Sequence, residues 1–354
     1  MTSLPSNDPS SALRNQLNHL LDQLPDLKNG ALIQQVLAST LHLANGEIDR
    51  LDWKILSAAL QDMAGGFQVF YPYRHTRKIS IFGSARIQPD SPEYQLAADF
   101  ARCVTAQGFM VITGAGGGIM QGANEGAGTE RSFGLNIRLP FEQGANPYIQ
   151  GDPKLIDFKY FFTRKLFFLK ESDALALFPG GFGTHDEAFE CLTLCQTGKS
   201  QPLPLVLVDK PGGDYWLEWD AYIQKHLLKR GLISPDDRSL YTLTDRVDVA
   251  CEAIASFYRV YHSCRYVGPK LVLRLNFELS DLEVEQLNAL FSDILVKGQI
   301  IKSRALPEEG KDETLDLPRL LLYFNQRDQG RLYQMIAAIN EMGPPPEAAH
   351  PERK

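Results

Sequence analysis

The stretch from Ala174 to Cys195, ALALFPGGFGTHDEAFECLTLC, admits few folds. Its apolar run from Ala174 to Phe178 lacks polar alternation, which is the pattern of a parallel strand buried on both faces. Pro179, Gly180, Gly181 and Gly183 follow, then Thr184, an N-cap type, and an acidic first turn with Asp186 and Glu187. Strand, glycine loop and helix start make one half of a phosphate site. Helix N-terminal N–H groups point outward, and the helix dipole favours an anion there. Glycine lets such a backbone approach a ligand closely. Acid in the first turn stabilises a helix but repels phosphate. Asp186 is therefore read as a first-turn stabiliser, and Glu187 as the catalytic candidate.

Around this unit the chain alternates. Lys78 to Phe82 reads as a strand ending at Gly83, Glu93 to Gln107 as an amphipathic helix, and Phe109 to Thr113 as a second strand. Gly114 to Gly118 is a glycine-rich turn, Ile119 to Thr129 a helix and Phe133 to Leu139 a third strand. Leu155 to Phe162 is predicted as an edge strand, Thr163 to Ser172 as a helix and Leu203 to Val208 as a strand. Tyr215 to Lys229 and Arg246 to Tyr261 are predicted helices. This β-α alternation predicts an α/β fold, a Rossmann-like doubly wound parallel sheet with ligands at the carboxyl ends of its strands. Residues 71–262 are assigned to this catalytic domain.

The flanks differ in character. Residues 1–70 read as an N-terminal helical extension. Its first ten residues are polar and predicted to be disordered. Apolar residues then recur at helical spacing: Leu17, Leu20, Leu21, Leu24, then Leu32, Val36, Leu37, Leu41, then Leu51, Ile55, Leu56, Leu60. Two to four helices are expected, as a cap on the main domain or part of a subunit contact. After Gly268, Lys270 to Phe277 alternates as a strand, and Asp281 to Leu295 is an amphipathic helix with Ser280 as its N-cap. Gln299 to Leu306 and Leu317 to Phe324 are predicted strands, and Gln329 to Asn340 a helix. The β-α-β-β-α order over 268–342 predicts a small α+β accessory domain, ferredoxin-like or ACT-like. Its acidic residues Glu283, Glu285, Glu308 and Glu309 read as a solvated face or loop. Two uses are expected for it: a site for a small-molecule effector, or an extension of a dimer contact. Residues 343–354, with three consecutive prolines, read as a flexible tail.

A second glycine-rich element is TGAGGGIMQGANEGAG, Thr113 to Gly128. It is neither G-x-G-x-x-G nor a P-loop, which would end in Lys-Ser or Lys-Thr. Gly122, Gly126 and Gly128 lie inside the helix pattern at a cost of roughly 1 kcal/mol each, which predicts close backbone packing or a nearby ligand. The two loops, about 65 residues apart, can meet where a doubly wound sheet reverses its strand order, and there bracket one phosphate. Phe162-Thr163-Arg164-Lys165 heads the helix before the central strand. A guanidinium there can bind phosphate bidentately or position a carboxylate. His185, beside the second loop, is a weaker candidate for touching substrate.

Composition excludes several classes. A net charge of −7 argues against a general nucleic-acid or anionic-membrane binder. No apolar run reaches about 18 residues, so no membrane span is expected. The start of the chain lacks a basic region followed by an apolar core and does not read as a secretory signal. Five cysteines without framework spacing point to reduced thiols and a cytoplasmic location. Cys191 and Cys195 read as buried small hydrophobes, and neither a metal nor a cofactor is expected.

These residues together resemble the LOG family of nucleoside 5′-monophosphate phosphoribohydrolases, long mislabelled as lysine decarboxylases. The family signature P-G-G-x-G-T-x-x-E stands complete as Pro179, Gly180, Gly181, Phe182, Gly183, Thr184, His185, Asp186, Glu187. The upstream Arg-Lys pair is matched by Arg164 and Lys165, and the glycine loop and its Asn by Gly114 to Met120 and Asn124. Ile81-Phe82-Gly83-Ser84 matches the first strand and its turn. The resemblance spans roughly residues 75 to 260. It implies that Arg164 and Glu187 are catalytic. It also implies that Gly83, Ser84, Gly116, Gly117, Gly118, Ile119, Met120, Lys165 and the residues Pro179, Gly180, Gly181, Phe182, Gly183 and Thr184 bind the substrate and its phosphate. A homodimer or higher homo-oligomer with the site near the interface is implied too. The chain departs from the family at Ala115 and Gly117, where members often carry glycine and proline. Its N- and C-terminal regions are absent from the short plant-type members, so specificity for cytokinin nucleotides is not carried over.

The chemistry is coherent without the name. Cleaving a nucleotide's N-glycosidic bond builds oxocarbenium character on the sugar, which a carboxylate such as Glu187 can stabilise while orienting water. AMP is the default substrate. The rival readings are a nucleotide-binding sensor without turnover and a cofactor carrier or DNA-processing protein on a similar sheet.

Overall fold

Strand β1 (Lys78–Phe82) is buried at every position because it lies in the middle of a seven-stranded sheet. A computed structural model describes residues 27–44, 46–137, 144–310 and 313–343. The polar first ten residues, the helical spacing from Leu17 to Leu24, loop residues 138–143 and the tail from 344 onward lie outside the described residues.

The described chain forms two compact units that divide between Leu60 and Gln61. The first holds α1 (Gly30–Ala44) and the start of α2 (Arg50–Phe70). Helical spacing is met in both, with Leu32 and Val36 of α1 exposed. The second holds the end of α2 and everything after it.

In that second unit the alternation holds: α3 (Pro92–Ala106), β2 (Met110–Thr113), α4 (Ile119–Ala127), β3 (Ser132–Ile137), β4 (Leu155–Phe158), α5 (Phe161–Lys170), β5 (Ala174–Leu177), α6 (Phe182–Gln196) and β6 (Leu205–Val208). The α7 helix (Tyr215–Tyr222), β7 (Thr242–Thr244) and α8 (Val247–Phe257) complete it. The sheet order is β4-β3-β2-β1-β5-β6-β7 and every pairing is parallel. The fold is thus a Rossmann-like doubly wound sheet. Strands β1 to β4 build outward on one side of β1, and β5 returns to its other side. The order reverses between β1 and β5, where Ile79 to Phe82 run beside Ala174 to Leu177. β5 is a continuous apolar run and β1 is buried at every position, Lys78 and Ser80 included, because helices cover both faces.

The predicted glycine cost in α4 has a packing cause. A Cβ on Gly122 would come within 2.8 Å of the Tyr94 carbonyl oxygen, and one on Gly126 within 2.0 Å of that of Ala98. The missing side chains let α4 lie directly on α3. Gly128 instead adopts φ +73° after the helix and ends it.

Four expectations are corrected. The helix predicted over Tyr215 to Lys229 is α-helical only to Tyr222, then continues as a π turn (Ile223–Leu227) and a 3₁₀ turn (Leu228–Arg230). Thr184 is not the cap of α6; the N-cap is Gly181, three residues earlier, so Asp186 and Glu187 lie beyond the first turn, which holds no acid, and Asp186 is no first-turn stabiliser. The last predicted helix of the main domain ends at Phe257, and Tyr261–Val267 is instead strand β8. It pairs with β9 (Lys270–Leu275) around Gly268, whose φ is +56°. The C-terminal sheet is therefore four-stranded and antiparallel, β10-β11-β9-β8, with α9 (Asp281–Phe291), β10 (Leu295–Ser303), β11 (Arg319–Phe324) and α10 (Gln329–Glu341). Ser280 caps α9 as expected, in a capping box with Glu283.

Glu309 is the fourth correction. It is buried rather than solvated, accepting from Arg274 Nη2 and Arg319 Nε at 2.9 Å each. Burial alone would raise its pKa, but the Leu306 N–H and the two guanidinium groups outweigh burial and lower it. Residues 268–342 lie within the larger compact unit. One hydrophobic core runs from Ile79 and Val111 of the parallel sheet through Tyr258 to Leu273 and Ile336.

Candidate active site

Three strand ends converge at the reversal. After β1 the chain turns at Gly83, where a Cβ would sit 2.7 Å from Ile119 Cβ; glycine here lets α4 press against the turn. Ser84 then joins both glycine loops. Its N–H donates to the Pro179 carbonyl at 3.0 Å, and its carbonyl accepts from the Ile119 N–H at 3.1 Å.

The first loop, Gly114 to Gly118, is held tightly. Gly118 has φ +61°, and a Cβ there would lie 2.2 Å from the Ser84 carbonyl oxygen. Ala115, fully buried, also has positive φ, at +62°. A left-handed alanine costs roughly 1–2 kcal/mol, and local hydrogen bonds hold it there. Its N–H donates to Thr113 Oγ1 at 3.0 Å, and its carbonyl accepts from the Asn146 N–H at 2.8 Å. Asn146 Nδ2 also lies 3.1 Å from the Gly116 carbonyl and 2.9 Å from Asn124 Oδ1, which accepts from Thr113 Oγ1 as well. Met120 folds back over Gly114 and Gly116, while Ile119 is core.

The second loop is open. Pro179 and Gly180 are half-buried, but Gly181, Phe182 and Gly183 are exposed, Phe182 to 96%. A Cβ added at Gly181 or Gly183 would meet nothing within 4 Å. Tyr215 Oη supports the loop from behind by donating to the Gly180 carbonyl, and it pairs with His185 Nε2 at 2.8 Å. His185 Nδ1 is buried without a partner, and burial lowers its pKa.

Glu187 lies in the second turn of α6, 6% exposed, and its Oε2 is buried without a hydrogen-bond partner. Burial pushes its pKa up from 4.5 to about 7, although the charges of Lys165 and Arg164 pull it down. Asp186 and Glu190 add to the upward push. A carboxyl that titrates near neutrality is matched to accepting a proton from water.

Arg164 and Lys165 share the first turn of α5 but face different surroundings. Arg164, half-buried, lies over the rings of Phe161 and Phe168, and its Nη1 comes within 3.8 Å of where a Gly114 Cβ would stand. It therefore adjoins the first loop, while its charge reaches Glu187. Lys165 is engaged elsewhere, with Asp186 at 2.7 Å and Glu190 at 3.5 Å. Burial opposes its charge, but the Asp186 hydrogen bond and the carboxylates of Glu187, Asp186 and Glu190 outweigh burial and raise its pKa. Lys165, Asp186 and Glu190 line a cavity of about 940 Å³ together with Phe161, Phe162 and Leu166.

The structure thus brings together Gly83, Ser84, Gly116 to Met120, Pro179 and Gly180, with Arg164 beside the first loop and Glu187 on the helix that follows the second. Asn146, Tyr215 and Asp62, whose role is developed below, carry no local sequence signal. They act through backbone groups of distant loops and helix ends. Cys191 and Cys195 are buried with their sulfurs 3.9 Å apart. Among the described residues no group of three or more His, Cys, Asp or Glu side chains is placed to hold a metal ion. Among them, too, no helix is long and apolar enough to cross a membrane.

No curated protein matches the chain at a significant level. The chain is similar to several solved structures. The molybdenum cofactor binding protein from the phototrophic bacterium Rippkaea orientalis is 17% identical, over 51% of this chain and 96% of that one, with a TM-score of 0.37. The molybdenum cofactor carrier protein from Chlamydomonas reinhardtii is 20% identical, over 51% and 96%, with a TM-score of 0.36. DNA processing protein A from Helicobacter pylori is 15% identical, over 50% and 80%, with a TM-score of 0.35. Similarity at this level carries no argument about activity. A family model described as "Possible lysine decarboxylase" matches residues 117–254. This matched segment, which carries Arg164, the complete second loop and Glu187, is similar to the LOG family.

Proposed function

We propose that the protein hydrolyses the N-glycosidic bond of nucleoside 5′-monophosphates, with AMP as the reference substrate, to free base and ribose 5-phosphate. The observation that carries this reading is Glu187: a buried carboxyl with an unpartnered oxygen, titrating near neutrality, at the head of an open glycine loop. The N-terminus of α6 and the glycine backbones favour an anion, which suits the 5′-phosphate. Glu187 takes a proton from water as the water oxygen bonds to the anomeric carbon. The glycosidic electron pair leaves with the base, which takes up one proton, so that the proton passed from water to Glu187 is balanced and the carboxylate is restored. Arg164 holds Glu187 ionised or binds the sugar phosphate. Binding energy from the phosphate fixes the ribose for reaction.

A panel of nucleoside monophosphates and the matching nucleosides, scored for free base, tests this. Monophosphates should be cleaved far faster than nucleosides, and Glu187→Gln should bind AMP yet lose turnover by at least about a thousandfold. AMP binding without base release in the wild type would instead favour a sensor or carrier. The exposed Phe161, Phe162, Leu166 and Phe182 support a homodimer as the working form. A cavity of about 470 Å³ in the C-terminal part, lined by Leu275, Lys302, Arg304, Leu317 and Arg319, is the place proposed for an effector.

A further inference from the structure

Helix α5 begins without a cap of its own, because Tyr160 at the N-cap position offers no side-chain acceptor. The acceptor comes from α2, about a hundred residues earlier in the chain. Asp62, 8% exposed, accepts from the N–H groups of Lys159 and Tyr160 at 3.1 and 3.2 Å and from the Thr163 hydroxyl at 2.7 Å. Thr163 is itself buried and immediately precedes Arg164. Three hydrogen bonds to one buried carboxylate are charge-assisted, and the charge sits at the positive end of α5. The rest of the contact is apolar and close. A Cβ on Gly66 would lie 2.3 Å from the Phe167 ring, and Phe67 and Phe70 pack against the same ring at 5.3 and 6.0 Å. The end of α2 therefore sets both the start and the rotation of α5.

We propose that Asp62 is a positioning residue for Arg164, so that the helix preceding the parallel sheet forms part of the active-site architecture. This rests on the hydrolytic reading above. The long arginine side chain amplifies any movement of its backbone, and small misplacements of a charged group cost catalysis heavily.

The test compares base release from AMP by the wild type, Asp62→Ala and Asp62→Asn, each also in an Arg164→Lys background. Hydrogen exchange at 159–168 and thermal midpoints are followed in parallel. Asp62→Ala should lower kcat by tenfold or more and speed exchange at the start of α5. Asp62→Asn, which keeps an acceptor oxygen, should recover most of the loss and covers the case of a poorly folding alanine variant. In the Arg164→Lys background the same substitutions should cost less than about threefold, because coupled residues are not additive. Equal losses in both backgrounds would mean general destabilisation and overturn the proposal, as would unchanged kcat with unchanged exchange. If the wild type releases no base from any monophosphate, the hydrolytic reading fails. Asp62 is then judged by exchange at α5 and by AMP affinity across the same variants.

Discussion

The two glycine loops have similar compositions and do different physical work. In the first, between β2 and α4, glycine is demanded by protein atoms. Gly118 sits against the Ser84 carbonyl in a conformation that L-residues avoid, and Ala115 and Gly116 are tied to Asn146. In the second, between β5 and α6, Gly181 and Gly183 face empty space with ordinary negative φ at the N-cap. Nothing in the protein requires glycine at those two positions, whereas a Cβ on Gly180 would meet Thr184 Oγ1 at 2.1 Å. One loop is a clamp that fixes geometry, and the other is a surface left bare for something outside the chain. Counting glycines does not separate the two; asking what a Cβ would hit does.

The comparison breaks most easily at Gly118. Gly118→Ala should destabilise the fold by at least about 3 kcal/mol, from backbone strain and the clash with Ser84 and Ala85. Chemical denaturation measures it, and a loss under about 1 kcal/mol would mean the first loop is not a clamp. Glu187→Gln should act in the opposite direction and with pH. The folded pKa of Glu187 is about 7 against an ordinary 4.5, so the folded chain retains a proton that the unfolded chain has lost. Stability contributed by the protonated form is present below about pH 4.5 and is lost as pH rises through about 7. Glutamine carries no such loss. The variant should match the wild type near pH 4 and exceed it by about 3 kcal/mol above pH 7. A constant difference across that range would mean Glu187 is not desolvated.

The strength of each signal in the sequence follows from the distance over which its cause acts. The parallel sheet was legible because strands such as Ala174–Leu177 are buried on both faces and are continuous in apolar character. The place of Glu187 on the helix after the second loop was legible because loop and helix are contiguous with it. Asp62 was not, since it looks like any acid on an amphipathic helix and its partners lie at Lys159, Tyr160 and Thr163. Asn146 was hidden for the same reason. Glu309 looked solvated beside Glu308, and its partners Arg274 and Arg319 lie on strands β9 and β11. Strand β8 was missed because Tyr258 and Tyr261 continue the apolar spacing of α8 across its end. Its partner β9 is what makes Tyr261–Val267 extended.

A gentler probe of the clamp is Asn146→Ala. It removes the side-chain contacts to Ala115, Gly116 and Asn124, keeps the backbone N–H on the Ala115 carbonyl, adds no clash, and should cost about 2 kcal/mol. Because those side-chain bonds brace the turn at Ala115 and Gly116, the Michaelis constant for AMP should rise along with the loss of stability. A stability loss with an unchanged Michaelis constant would show that the first loop's shape does not reach the substrate.

The smallest effect on stability should come from the second loop, and it separates the two loops most cleanly. Gly183 is the second residue of α6, exposed, with no atom within 4 Å of an added Cβ. Alanine in place of glycine in a helix is favourable by up to about 1 kcal/mol, and by less in the first turn. Gly183→Ala should therefore leave the fold as stable as the wild type or slightly more so. If the loop is bare because a phosphate approaches its backbone, the added methyl group stands in the ligand's way, and the Michaelis constant for AMP should rise about tenfold, some 1.4 kcal/mol of lost binding. Stability and affinity then move in opposite directions at one residue, which no purely structural glycine would do. Unchanged affinity would assign the open face to something other than substrate. A loss of stability that grows as the protein is diluted would identify that other occupant as a second copy of the chain.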